Sequence, residues 1–120
     1  MTKLMLPNSH RQCYQEFKQA LEDLQVTVSS GQSDPDLAGI QRFFQEQVAS
    51  LTAEGIDPSL VSRWQSVQTE MHKQMRLLAV DLTFFQASRQ LSTREQRQRQ
   101  IVSRLQTSIG YCEVLVTGET

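Results

Sequence analysis

The sequence predicts an all-α fold, an antiparallel up-down four-helix bundle, on three observations. Apolar residues recur at spacings of three and four along most of the chain, and no segment competes with the two-residue alternation of a half-buried strand. The four residues Gly55-Ile56-Asp57-Pro58 combine a helix stop with a helix start. Glycine takes the left-handed conformation that ends a helix, an aspartate side chain caps the next one, and proline suits a first turn that needs no N–H.

The elements follow in order. A first helix, about 8–29, starts after Pro7 with Asn8 or Ser9 as cap and sets Tyr14, Phe17, Leu21, Leu24 and Val28 on one seam. Ser29-Ser30-Gly31-Gln32-Ser33 is a loop. Asp34-Pro35 opens a second helix, 35–54, with Leu37, Ile40, Phe44, Val48 and Leu51 inward. A third, 58–91, carries Val61, Trp64, Val67, Met71, Leu78, Leu82 and Phe85; with no Gly or Pro before Leu91 it is expected to be clearly the longest. Ser92 and Glu95 form a capping box for a fourth, 93–116, with Ile101, Val102, Leu105, Ile109, Cys112 and Leu115 inward and Val114-Leu115-Val116 as a fraying tail. The expected core includes Phe17, Leu21, Leu24, Phe44, Trp64, Val67, Met71, Leu105 and Ile109.

At a rise of about 1.5 Å per residue, the first two helices are roughly 30 Å long and the third nearer 50 Å. The end of helix three and the start of helix four should then project as a two-helix spur. Glu95 to Gln100 contains no apolar residue, as expected where a helix loses its core neighbours. Phe84 and Phe85 fall where the spur would emerge, either capping the core or leaving one ring exposed for another chain.

The 120 residues suffice for one domain, 1–120, with one core. Seventeen glutamines against three lysines, scattered singly, give neutral helix surfaces. The net charge of −1 provides no global attraction to nucleic acid or membrane, although residues 1–60 carry four basic and eight acidic side chains and residues 61–120 eight and five. No apolar run approaches the ~20 residues of a membrane span. The N-terminal residues lack the apolar stretch of a signal peptide, so the expected compartment is the cytoplasm with Cys13 and Cys112 reduced.

Catalytic and metal chemistry find little footing. His72 on helix three invites comparison with histidine phosphotransfer domains, which are also small four-helix bundles. Met75 and Arg76, however, stand three and four residues after it, where those place lysine and a small residue, so it reads as a surface histidine. His10 reads as a solvated helix-end residue. No HExxH or ExxH pair occurs, and the cysteines lack neighbours at ligand spacing. Cys13 and Cys112 would share one end of the bundle, as small buried hydrophobes or as a redox clasp. No enzyme activity and no cofactor are expected.

The one charge feature is Arg89, Arg94, Arg97, Arg99 and Arg104, relieved only by Glu95 and falling on the spur. With Phe84 and Phe85, the first four make a candidate docking site for an acidic partner or phosphates. Nucleic-acid binding by this arginine-rich hairpin is the alternative from another class, opposed by a pI near 6.1 and the absence of interleaved aromatics.

The opening Met5-Leu6-Pro7-Asn8-Ser9-His10-Arg11-Gln12-Cys13-Tyr14-Gln15-Glu16-Phe17, the length and the Gln-rich helices resemble the cyanobacterial heterocyst frequency control (PatD) family, with Met1 to Leu4 as a short extension ahead of its usual start. The resemblance implies a small cytosolic regulator that binds the division protein FtsZ and modulates its assembly, linked in filamentous forms to how many cells differentiate. It brings no functional-residue motif. A helical adaptor for another partner is the remaining reading, and a homodimer is compatible with either.

Overall fold

The computed structural model describes residues 4–31 and 36–118. Of the described residues 82% are helical and none is in a strand, and the four helices pack together. They are α1 (Asn8–Ser29), α2 (Leu37–Phe43, continued by a single π turn, Phe44–Val48), α3 (Val61–Ala87, entered through a 3₁₀ turn Pro58–Leu60) and α4 (Leu91–Thr117).

α1 fulfils its seam: Tyr14, Phe17, Leu21, Leu24 and Val28 are all buried. Its start differs from expectation. Neither Asn8 nor Ser9 is the cap; Pro7, in extended conformation, holds that position and its carbonyl accepts the Arg11 N–H at 3.0 Å. His10 is buried rather than solvated. Its Nε2 is 2.8 Å from the Thr52 carbonyl oxygen, and its ring meets Trp64 edge-on.

The expected start of α2 at Asp34-Pro35 lies outside the described residues. Asp36 caps the helix, its side chain accepting the Gly39 N–H at 3.1 Å. The helix ends at Val48, not at 54. Over its last turn the bonding lengthens, Ala49 N–H reaching the Phe44 carbonyl at 2.7 Å. Two of the carbonyls there are engaged by side chains of other helices, Gln47 by the Cys13 thiol and Val48 by the Gln68 amide at 3.1 Å. The chain is then irregular to Asp57. Gly55 therefore terminates no helix. With φ of +83° it makes the left-handed corner of the turn closed by Ile56 N–H on Ala53 O, and a Cβ there would lie 3.2 Å from Pro7 Cγ. Asp57-Pro58 acts as expected, the Asp57 carboxylate accepting from both the N–H and the hydroxyl of Ser59.

α3 is not clearly the longest element: it and α4 have 27 residues each. α3 stops at Ala87 because Ser88 turns to extended backbone, its N–H and hydroxyl closing on the Phe85 and Phe84 carbonyls. That break lets α4 begin at Leu91, so Ser92 lies inside the helix and the Ser92–Glu95 capping box is not used. Nor does α4 fray. Leu115 is fully buried, and Gly118, at φ +77°, caps the helix with its N–H on Val114 O. The Gly118 carbonyl in turn accepts the Leu4 N–H at 2.9 Å, and Leu4 and Leu6 lie in the core.

Named pairs fix how the helices meet. Lys18 with Glu113 and Val28 with Gln98 set α1 against α4 in opposite directions. Phe17 contacts Phe43 and Phe44 across α1 and α2, and Phe44 contacts His72 on α3. Two of the expected core residues, Val67 and Ile109, are only half-buried; on α4 the fully inward position is Ser108, one residue earlier. Each large apolar side chain removed from water contributes about 1.5–3 kcal/mol.

The core carries polar ties. Trp64 Nε1–H donates to Tyr14 Oη at 2.7 Å, Tyr14 O–H donates to Gln68 Oε1 at 2.8 Å, and Gln68 passes on to the Val48 carbonyl. One relay thus joins α1, α3 and the end of α2. Asp81 on α3 pairs with Arg104 on α4, both carried on inward-facing lines of their helices.

Candidate partner-binding surface

Phe84 and Phe85 sit on different faces of the end of α3, just before the α3–α4 connection, Ser88 to Gln90. Phe85 is inward and only 1% exposed. Arg94, one turn into α4, lies over its ring with the guanidinium carbon 4.2 Å from the centroid and donates to the Phe85 carbonyl. An arginine here supplies a donor to the last turn of α3, where carbonyls lack helical partners, and a positive charge at the negative end of the dipole. Phe85 is therefore core, and Arg94 ties α4 to α3.

Phe84 is 50% exposed, and Arg97 covers its ring at 4.9 Å from the centroid. Arg97 has no hydrogen-bond partner among the described residues, so its N–H donors remain available beside an apolar ring. Val80, one turn before Phe84, and Leu91, the first residue of α4, are also exposed, Leu91 at 71%. Arg89 is exposed in the connection itself. The chemistry offered is a guanidinium fork resting on an aromatic face, with further apolar surface near it, which suits a carboxylate flanked by apolar groups.

The five arginines do not act as one patch. Arg104 leaves it altogether, held by Asp81. Arg94 is committed to Phe85. Arg99 is exposed on another flank of α4, beside Ser29 and Val102 at the C-terminal end of α1. Arg97 and Phe84 remain together, with Arg89 exposed in the adjoining connection. Sequence reasoning found these three and missed Leu91 and Val80. The signal for Leu91 was present: an apolar residue beside the arginine-rich stretch, with no stripe to join.

Elsewhere, His72 is exposed, as expected, with Phe44 edge-on to it at 5.6 Å. Cys13 and Cys112 are both free thiols. Burial, with Glu16 nearby, pushes the Cys13 thiol up to about 11, and burial pushes that of Cys112 up to about 12. Protonated thiols are poor nucleophiles and poor metal ligands. Among the described residues no cluster of three His, Cys, Asp or Glu side chains could hold a metal ion, and no helix is long and apolar enough to cross a membrane.

This small all-helical protein, compared with known proteins, matches no family profile, no curated protein and no solved structure.

Proposed function

We propose that the chain is a non-enzymatic, cytoplasmic regulator that works by binding another protein through the α3–α4 tip. In this reading the four helices form an up-down bundle from which the ends of α3 and α4 emerge as a two-helix spur. The observation that carries it is Phe84, half exposed under Arg97 at a helix end where Val80 and Leu91 are exposed as well. Large aromatics usually go inside, and Arg beside an aromatic is the composition of interface hot spots.

The partner proposed first is FtsZ, and the support for it is the resemblance of Met5 to Phe17 to the heterocyst frequency control family. Several residues of that segment (Leu6, His10, Tyr14 and Phe17) are buried, so it carries the fold of the regulator while the tip carries the contact. The nucleic-acid reading loses support from the division of the arginines, because phosphate tracking needs a continuous basic surface.

The test is titration of purified FtsZ with the chain. Saturable binding that weakens as salt rises is expected, since exposed charge pairs are screened beyond about 10 Å at 0.1 M ionic strength. Absence of binding at any salt would remove FtsZ and leave an adaptor for a different partner.

A further inference from the structure

Along the outer side of α1 and α4 runs an open groove of about 760 Å³, lined among others by Val26, Ile109, Gly110 and Glu113. It continues past Gln106 to Ser103, Val102 and Arg99. Three features of this groove need an explanation. Val26 is 70% exposed on a helix whose other face is fully packed. Gly110 stands inside α4, where glycine costs about 1 kcal/mol relative to alanine, yet a Cβ there would meet nothing within 4 Å. Nothing among the described residues requires a glycine at that place; a surface arriving from outside would.

The third feature is the order of charges. At one end, Lys18 lies between Glu22 and Glu113, at 3.7 and 3.8 Å, so two carboxylates face one ammonium. At the other end, Arg99 has no ion-pair partner among the described residues. The groove side of α4 reads Arg99, Val102-Ser103, Gln106, Ile109-Gly110, Glu113, with Val102, Ile109 and Gly110 half-buried and the others exposed, which is a heptad-type spacing. It is also symmetric about Gln106. Laid antiparallel on a copy of itself, Gln106 meets Gln106, Val102 meets Gly110, Ser103 meets Ile109 and Arg99 meets Glu113. Val102 and Ile109 each oppose a small residue, Gly110 and Ser103, and each basic end opposes an acidic one.

We propose that this face binds a second copy of the chain, the two α4 helices pairing antiparallel about a two-fold axis at Gln106. A two-fold contact must be self-complementary, and this line of side chains is. The glycine lets the α4 backbones approach where Val102 of the other copy enters. Tips lie about 15 residues from the axis, so the dimer carries its two α3–α4 ends about 45 Å apart, facing opposite ways. The inference stands on the groove alone and is independent of what the tip binds.

Sedimentation equilibrium of the purified chain and two charge variants tests it. The wild type should be a dimer that weakens with salt. Arg99→Glu sets a carboxylate against Glu113 of the other copy, and Glu113→Lys sets an ammonium against Arg99, so each alone should weaken the dimer by about tenfold or more. Mixed in equal amounts, the two variants should re-form a dimer. In the mixed pair the new carboxylate at position 99 of one variant faces the new ammonium at position 113 of the other. The second contact keeps its native partners, Glu113 from the first variant and Arg99 from the second. That recovery also shows that both variants are folded. A monomeric wild type, whether the groove is bare or serves another protein, overturns the proposal. So does a dimer indifferent to both variants, or a mixture that stays as monomeric as its parts.

Discussion

Tyr14 accepts the buried indole N–H of Trp64 at 2.7 Å and donates its own hydroxyl proton to Gln68 at 2.8 Å. One phenol oxygen therefore satisfies two side chains at once. Burial raises its pKa above the usual tyrosine range, a rise the Trp64 bond opposes. Tyr14→Phe keeps the ring and removes the oxygen, leaving the Trp64 donor without its acceptor. The expected loss is about 1–3 kcal/mol in a denaturant titration. A loss below about half a kcal/mol would show that water replaces the hydroxyl.

The Asp81–Arg104 pair gives a second prediction, about sign. The side chain of Asp81 is 9% exposed and that of Arg104 21%, so an orphaned Asp81 has little access to water. Arg104→Met should cost about 2–4 kcal/mol, toward the low side of a fully buried pair because Arg104 is partly solvated. Adding Asp81→Leu should return most of it, since a well-packed apolar pair often equals a buried ion pair. If the double variant loses as much as the two single ones together, the two side chains are not coupled and the losses come from their other contacts.

These ties mark the boundary of what the sequence could disclose. The seam of α1 was legible because Tyr14 to Val28 repeat at three and four, and one buried face is all that pattern encodes. Asp57-Pro58 was legible because a cap and a fixed φ act within two residues. The end of α2 was not: it is set by Cys13 and Gln68 reaching over from other helices, and nothing local announces them. Ser88 broke α3 without Gly or Pro, through side-chain and backbone bonds that serine makes only once the helix has turned. Arg104 was read by its charge among its neighbours, although its position three after Ile101 put it on the side of α4 near the core. Asp81, three after Leu78 and four before Phe85, carried the matching signal. Of the candidate surface, Phe84, Arg89 and Arg97 were named from sequence. Which of the two phenylalanines faces out needed the helix ends in place.

Gly118 supplies a third prediction. At φ +77°, with a Cβ position 2.9 Å from the Leu4 carbonyl oxygen, an alanine meets both backbone strain and backbone contact. Gly118→Ala should cost about 1–2 kcal/mol and speed amide exchange at Leu4, whose N–H bonds the Gly118 carbonyl. Unchanged protection at Leu4 would mean that the N-terminal residues dock without this bond.

The thiols set a pH dependence. Cys13 and Cys112 ordinarily titrate at 9.0 and are raised to about 11 and about 12 by burial. The folded chain keeps protons that the unfolded chain releases, so this contribution is fully present below about pH 9 and is lost as pH climbs toward about 11 to 12. The denaturation midpoint should fall between about pH 9 and 11, and Cys112→Ala should flatten the fall. A midpoint that rises over that range would contradict the sign. Consistently, Cys112 should resist alkylation at about pH 8 until the chain unfolds.

The central claim, that the tip is where a partner docks, is tested most directly by co-sedimentation with FtsZ filaments. The comparison is between the wild type and a Phe84→Ser, Arg97→Glu variant. Both side chains are surface groups making few internal contacts, so melting should move by no more than about 3 °C. Loss of the ring and reversal of the charge facing an acidic partner should weaken co-sedimentation by about tenfold or more. A variant that melts like the wild type and sediments with the filaments as well as the wild type does would contradict the account.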